Sequence, residues 1–139
     1  MDDVARNKAA IIERCLARVR EVYAGDPASL DDPTRQDSIV LNLQRAAQAA
    51  IDLAMHLVRV HALGVPQTSR DAFALLAASE RPAPHRLDPD LAAAMQRMVG
   101  FRNVAVHEYR ALHLGVVRSV VETGLDDLAA FARWALTSA

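Results

Sequence analysis

A chain of 139 residues with 52% apolar and 24% charged side chains is long enough to bury a real core as one domain, 1–139, and too apolar to be disordered. Its net charge of −1 excludes a general polyanion-binding surface, so any contact with nucleic acid needs a local positive patch. A single cysteine, Cys15, excludes an internal disulfide and any zinc-knuckle spacing.

The start, Met-Asp-Asp-Val-Ala-Arg, lacks the basic and apolar regions of a signal peptide, and no apolar run approaches the length of a membrane span. A cytoplasmic location is the expectation. The first predicted helix runs from about Asp3 to Tyr23. Ile12, Leu16, Val19 and Tyr23 form its apolar stripe, Cys15 and Val22 widen it, and Gly25-Asp26-Pro27 ends it. Cys15 on that stripe reads as a core residue rather than a reactive thiol. After an acidic loop, a long helix is predicted from about Pro33 to Leu63. It buries Ile39, Leu43, Ala46, Ala50, Leu53, Leu57 and Val60. Its alanines, Ala46, Ala47, Ala49, Ala50 and Ala54, allow close approach of neighbouring helices.

Thr68 and Asp71 have the spacing of a helix cap and open a short helix with Phe73, Leu76 and Ala77 inward. The segment Arg81-Pro82-Ala83-Pro84-His85 excludes regular helix. Asp88-Pro89 is an N-cap followed by a first-turn proline, and the helix it starts turns Leu91, Met95, Met98 and Val99 inward. Gly100 is a candidate bend. The last helix, either a continuation of this one or a successor from Leu114-Gly115, carries Val117, Val120, Val121, Leu128, Phe131 and Ala135. No stretch alternates as a strand does. The fold class is all-α, an antiparallel bundle of about five helices.

The chemistry concentrates in Phe101-Arg102-Asn103-Val104-Ala105-Val106-His107-Glu108-Tyr109. On a continuous helix Arg102 and Tyr109 share a face as i and i+7, and Asn103, His107 and Arg110 share a neighbouring one. Charge follows the motif: the residues from Leu91 to Val121 sum to +3, which leaves −4 for the rest. The bland reading is a polar helical face that caps or pairs with its neighbours. His56 and His61, at i and i+5, are wrongly spaced to hold a metal together, and no HExxH occurs. His85 reads as solvated and His113 as a minor supporting candidate. Asn42, Arg45 and Asp52 on the long helix could face the motif, with a solvated face the favoured alternative. Neither a phosphate-cradling glycine loop nor a nucleophile elbow is present.

Arg102, four residues, then His107-Glu108-Tyr109 resembles the R-x4-6-H-x-Y signature of HEPN-domain toxins of the HepT-like family. The likeness extends to Asn103, to Met98-Val99-Gly100-Phe101, and to the opening of the long helix, Asp37-Ser38-Ile39-Val40-Leu41-Asn42-Leu43-Gln44-Arg45-Ala46. The resemblance implies a homodimer with a composite site, and a metal-independent endoribonuclease that needs no cofactor. Arg102 and His107 would be catalytic, with Asn103 and Tyr109 in support. The basic patch would then be doubled on a two-fold axis and suited to an RNA backbone. Resemblance further implies a toxin–antitoxin pair in which an MntA-like nucleotidyltransferase antitoxin AMPylates Tyr109, whose phenol must then be reachable. Two alternatives are a catalytically inactive HEPN module that binds nucleotide or scaffolds the nucleotidyltransferase, and a plain helical dimerisation domain.

Overall fold

The computed structural model describes residues 2–138, and its architecture follows from where helices can start. Asp2 accepts a hydrogen bond from the Ala5 amide and opens α1, Asp3–Tyr23. Its stripe of Ile12, Leu16 and Val19 is fully buried, Cys15 and Tyr23 are nearly so, and Val22 is half-buried. Burial raises the Cys15 thiol above the ordinary range, which keeps it protonated and inert. The helix ends on Ala24 and Gly25, both left-handed at φ 53° and 68°.

The acidic loop is a 3-10 turn, Pro27–Asp31, and it delivers Asp32 as the N-cap of α2, Pro33–Val60, with Pro33 in the first turn. At 1.5 Å per residue α2 is about 42 Å long and forms the spine of the bundle. Lys8 meets Asp52 and Asp2 meets His56, so α1 runs antiparallel along it. The five alanines of α2 are at most 4% exposed, which is how the two backbones come close. The helix ends one turn before the expected Leu63. Ala62 adopts φ 53° and Val60, expected inside, is 52% exposed, because it lies past the last turn that α1 covers.

Thr68 caps α3, Ser69–Ala78, by accepting from the Asp71 amide, while the Asp71 carboxylate accepts from the Gln67 amide. Phe73 and Leu76 are buried as the spacing predicts. Asp88 caps α4, Pro89–His107, which buries Met95, Met98 and Val99 and leaves Leu91 half-covered. Gly100 does not interrupt the helix: α4 runs through it. A Cβ there would lie 2.9 Å from Arg70 Nη2, so the glycine leaves room for the guanidinium that α3 lays across α4. Arg70 Nε donates to the Gln96 carbonyl and Gln96 Nε2 donates to the Arg70 carbonyl, a reciprocal staple between the two helices.

The last rod starts at Leu114 as one of the two expected readings had it. α5, Leu114–Ser119, passes through a π-helical turn, Val120–Gly124, into α6, Leu125–Ser138. Val117, Leu128, Phe131 and Ala135 are fully buried, and Phe131 meets Phe73 edge to face at 5.3 Å. Among the described residues there is no strand, and five helical rods enclose one continuous core. No helix is long and apolar enough to cross a membrane.

Candidate active site

The last two turns of α4 carry the motif, and α3 and α2 hold it in place. Arg102 is half-buried. Its Nη2 donates to Ser69 Oγ at 3.4 Å, and its Nε is buried with no hydrogen-bond partner among the described residues. A permanent cation is thus lodged between α3 and α4, and among the described residues Ser69 Oγ is the one hydrogen-bond acceptor it meets. Asn103 is half-buried beside it, and His107, the last helical residue, is exposed. Around the helix axis Asn103 lies between the other two, about 100° from Arg102 and about 40° from His107. The expected pairing of Asn103 with His107 at i and i+4 therefore holds.

The expected stripe of Arg102 with Tyr109, and the place of Arg110 beside His107, do not. Glu108 leaves helical geometry at φ −140° and ψ 50°, although its amide still bonds to the Val104 carbonyl. Tyr109–Ala111 is a separate 3-10 turn. Two tertiary contacts outweigh continuation of a helix end already weakened by β-branched Val104 and Val106. Leu112 packs partly against the core, and Tyr109 Oη donates to Asp37 Oδ1 at 2.7 Å. Tyr109 is 41% exposed, so the residue is not deeply buried. Burial of part of the ring, with the hydrogen bond to Asp37 and its negative charge, pushes the phenol up to about 12.

The remaining candidates are engaged elsewhere. Asp52 faces α1, paired with Lys8 and accepting from Gln48, and Asn42 donates to the Ser38 carbonyl on its own helix. His56 bonds to Asp2 at 2.7 Å and His61 to the Ser138 carbonyl at 3.0 Å, so His56 ties the start of α1 to α2 and His61 ties the end of α6 to the C-cap of α2. His113 precedes α5 and borders a groove of about 420 Å³ between α4 and α5–α6, together with Arg97, Phe101, Val104 and Val116. Neither Arg102 nor His107 lines that groove. Its mouth is continuous in sequence with Val106, Leu114 and Val116, which are 44%, 38% and 47% exposed.

Sequence reasoning gave no role to two side chains in the site. Ser69 enters the sequence reading only between the capping pair Thr68 and Asp71, and Asp37 only as the first residue of the α2 stretch that resembles the family. Their partners lie 33 and 72 residues away, and no local spacing encodes either contact.

The structure is an all-α bundle whose fourth helix ends in the Arg102–His107–Tyr109 motif, and its relatives define the class to which it belongs. The family model described as Ribonuclease HepT-like matches residues 12–134. The chain is 43% identical over 131 residues to the mRNA nuclease HepT of Shewanella oneidensis, covering 94% of this chain and 95% of that one. Its fold matches a tri-AMPylated Shewanella oneidensis HEPN toxin solved in complex with an MNT antitoxin. That match has a TM-score of 0.87 and 42% identity and covers 99% of both chains. A toxin–antitoxin complex with AMP-PNP matches at a TM-score of 0.86 and 41% identity, over 97% of this chain and 99% of that one. The chain belongs to the HepT-like ribonuclease family.

Proposed function

We propose that this HepT-like ribonuclease is the toxin of a toxin–antitoxin pair and cleaves RNA without a metal, at a site completed by a second copy of the chain. The observation that carries the reading is the Arg102 guanidinium, fixed by Ser69 yet left with unspent donors one and a half turns before an exposed imidazole. Arginine does not deprotonate, so Arg102 stabilises the charge that builds on the phosphorane oxygens. His107, of a residue type that titrates near neutrality, takes the proton from the ribose 2′-OH or returns one to the leaving 5′-oxygen. Asn103, between them, orients the imidazole or the phosphate. Attack by the 2′-OH leaves a 2′,3′-cyclic phosphate, so DNA is not a substrate.

Arg102 and His107 point about 140° apart around α4, so one helix does not aim both at the same phosphate. A two-fold axis supplies a second arginine and a second histidine, and the apolar groove flanked by Leu114 and Val116 suits burial against another copy. Tyr109 is the residue that an MNT-type nucleotidyltransferase antitoxin AMPylates in this reading. It stands two residues beyond His107, so an added AMP places its phosphate and adenine at the end of α4 where RNA must lie. The location that fits is the cytoplasm.

The test is cleavage of RNA in excess EDTA by the wild type, Arg102→Ala and His107→Ala. Activity confined to the wild type and ending in cyclic phosphate supports the reading. Activity that EDTA abolishes, or equal activity in all three proteins, overturns it.

A further inference from the structure

Two phenols in this chain donate to carboxylates, and the contrast between them is informative. Tyr23 Oη donates to Glu122 Oε1 at 3.2 Å; Tyr23 is 6% exposed, and Glu122 is held by Arg118 at 2.7 Å. That carboxylate is neutralised and that phenol is closed in, an arrangement that serves packing. Tyr109 Oη donates to Asp37 Oδ1 at 2.7 Å; Tyr109 is 41% exposed, and among the described residues Asp37 is in no ion pair. The Tyr109 oxygen thus meets an uncommitted carboxylate on a residue that is exposed, where Tyr23 meets a paired one on a residue that is buried.

We infer that Asp37 is the general base for transfer of AMP from ATP to Tyr109, a residue of the toxin that assists its own modification. This rests on Tyr109 being the acceptor. The Tyr109 oxygen attacks the α-phosphorus of ATP, the bond from that phosphorus to the bridging oxygen of the β-phosphate breaks, and pyrophosphate leaves. The phenolic proton passes to Asp37 Oδ1 as the new O–P bond forms, and then to solvent. No oxidant or further reactant is consumed.

A base is needed because the ground state supplies little nucleophile. With the phenol pushed up to about 12, phenolate amounts to roughly one molecule in 10⁵ at pH 7. Catalytic-loop aspartates of protein kinases accept the proton of a substrate hydroxyl in the same kind of transfer. Here the carboxylate is on the substrate protein. It sits on rigid α2, and the hydroxyl sits on the turn after α4, so the attacking oxygen is oriented before the antitoxin docks.

The test measures AMP incorporation by intact mass, with the cognate antitoxin, ATP and Mg²⁺, into the wild type, Asp37→Asn, Asp37→Glu and Tyr109→Phe. Antitoxin affinity and circular dichroism are measured in parallel. Loss of a general base costs about 100-fold or more in rate. Asp37→Asn is therefore expected to slow incorporation by at least about 100-fold at pH 7 with affinity unchanged, and Asp37→Glu to recover part of it. The residual Asp37→Asn rate should climb with pH, as phenolate becomes the sole nucleophile, whereas the wild-type rate is level around neutrality. An Asp37→Asn protein modified as fast as the wild type, or faster because the contact merely locks the hydroxyl, overturns the proposal. Incorporation into Tyr109→Phe at the wild-type level, or none into the wild type, overturns instead the assignment of Tyr109 as acceptor.

Discussion

Ser69→Ala tests whether the rate of RNA cleavage depends on how Arg102 is held. Ser69 Oγ is the acceptor that the structure gives the guanidinium, at 3.4 Å from Nη2. Hydrogen bonds to charged groups contribute about 1.5–3 kcal/mol, and one this long belongs at the lower end. Loss of about 1.5 kcal/mol of orientation corresponds to roughly a tenfold fall in kcat/KM. Arg102→Ala removes the charge itself, and loss of a comparable oxyanion donor costs about 10²–10³ in rate. The two effects must not add, because Ser69 acts only through Arg102. The assay is cleavage of a fluorescent RNA by the wild type, both single variants and the double variant, with thermal melts as a fold control. Ser69→Thr keeps a hydroxyl acceptor and should restore most of the activity. A Ser69→Ala protein as fast as the wild type would refute the reasoning. So would a full tenfold further loss in the Arg102→Ala background, since the serine would then act by another route.

His107→Ala should lower RNA cleavage by about 10²–10⁴ and leave the melting temperature nearly unchanged, since the side chain is exposed; activity and melt are read on one preparation. Phe131→Ala should do the reverse, destabilising the fold by about 3–5 kcal/mol because the ring is fully buried against Phe73, as denaturant titration would show. Ultraviolet titration at alkaline pH should find Tyr109 ionising near 12, and Asp37→Asn should bring it down towards the ordinary tyrosine value. The sign is that of a raised group. The Tyr109–Asp37 contact supports the fold fully below the unfolded value near 10, and that support fades as pH rises from there through about 12.

The fold was legible because its instructions are local. Asp2, Asp32, Thr68 and Asp88 each cap a helix whose start the sequence marks, and the stripes of Ile12-Leu16-Val19 and Leu128-Phe131-Ala135 lie within single helices. Prolines and glycines mark the breaks. The placement of the candidate site residues was legible only as far as α4 stays helical. Arg102, Asn103 and His107 stand where a period of 3.6 residues puts them, and Tyr109 does not, because helical continuation competes there with contacts made elsewhere in the chain. Glu108 has no proline or glycine character to announce the break. What ends the helix is Leu112 finding the core and Tyr109 finding Asp37 across 72 residues. Gly100 shows the same limit from the other side. A glycine inside a helical pattern invites a bend, yet here it makes room for Arg70, which only the packing of α3 on α4 brings near. Periodicity therefore names the residues that a helix displays, and tertiary contact decides which groups stand beside them. For the role proposed for Arg102 the displayed side chain suffices, since its charge is permanent and the proposal leaves Ser69 only to aim it. For Tyr109 it does not, because an isolated phenol on a helix face has no base beside it. The chemistry proposed for that residue requires the contact that forms when α2 and the turn after α4 meet.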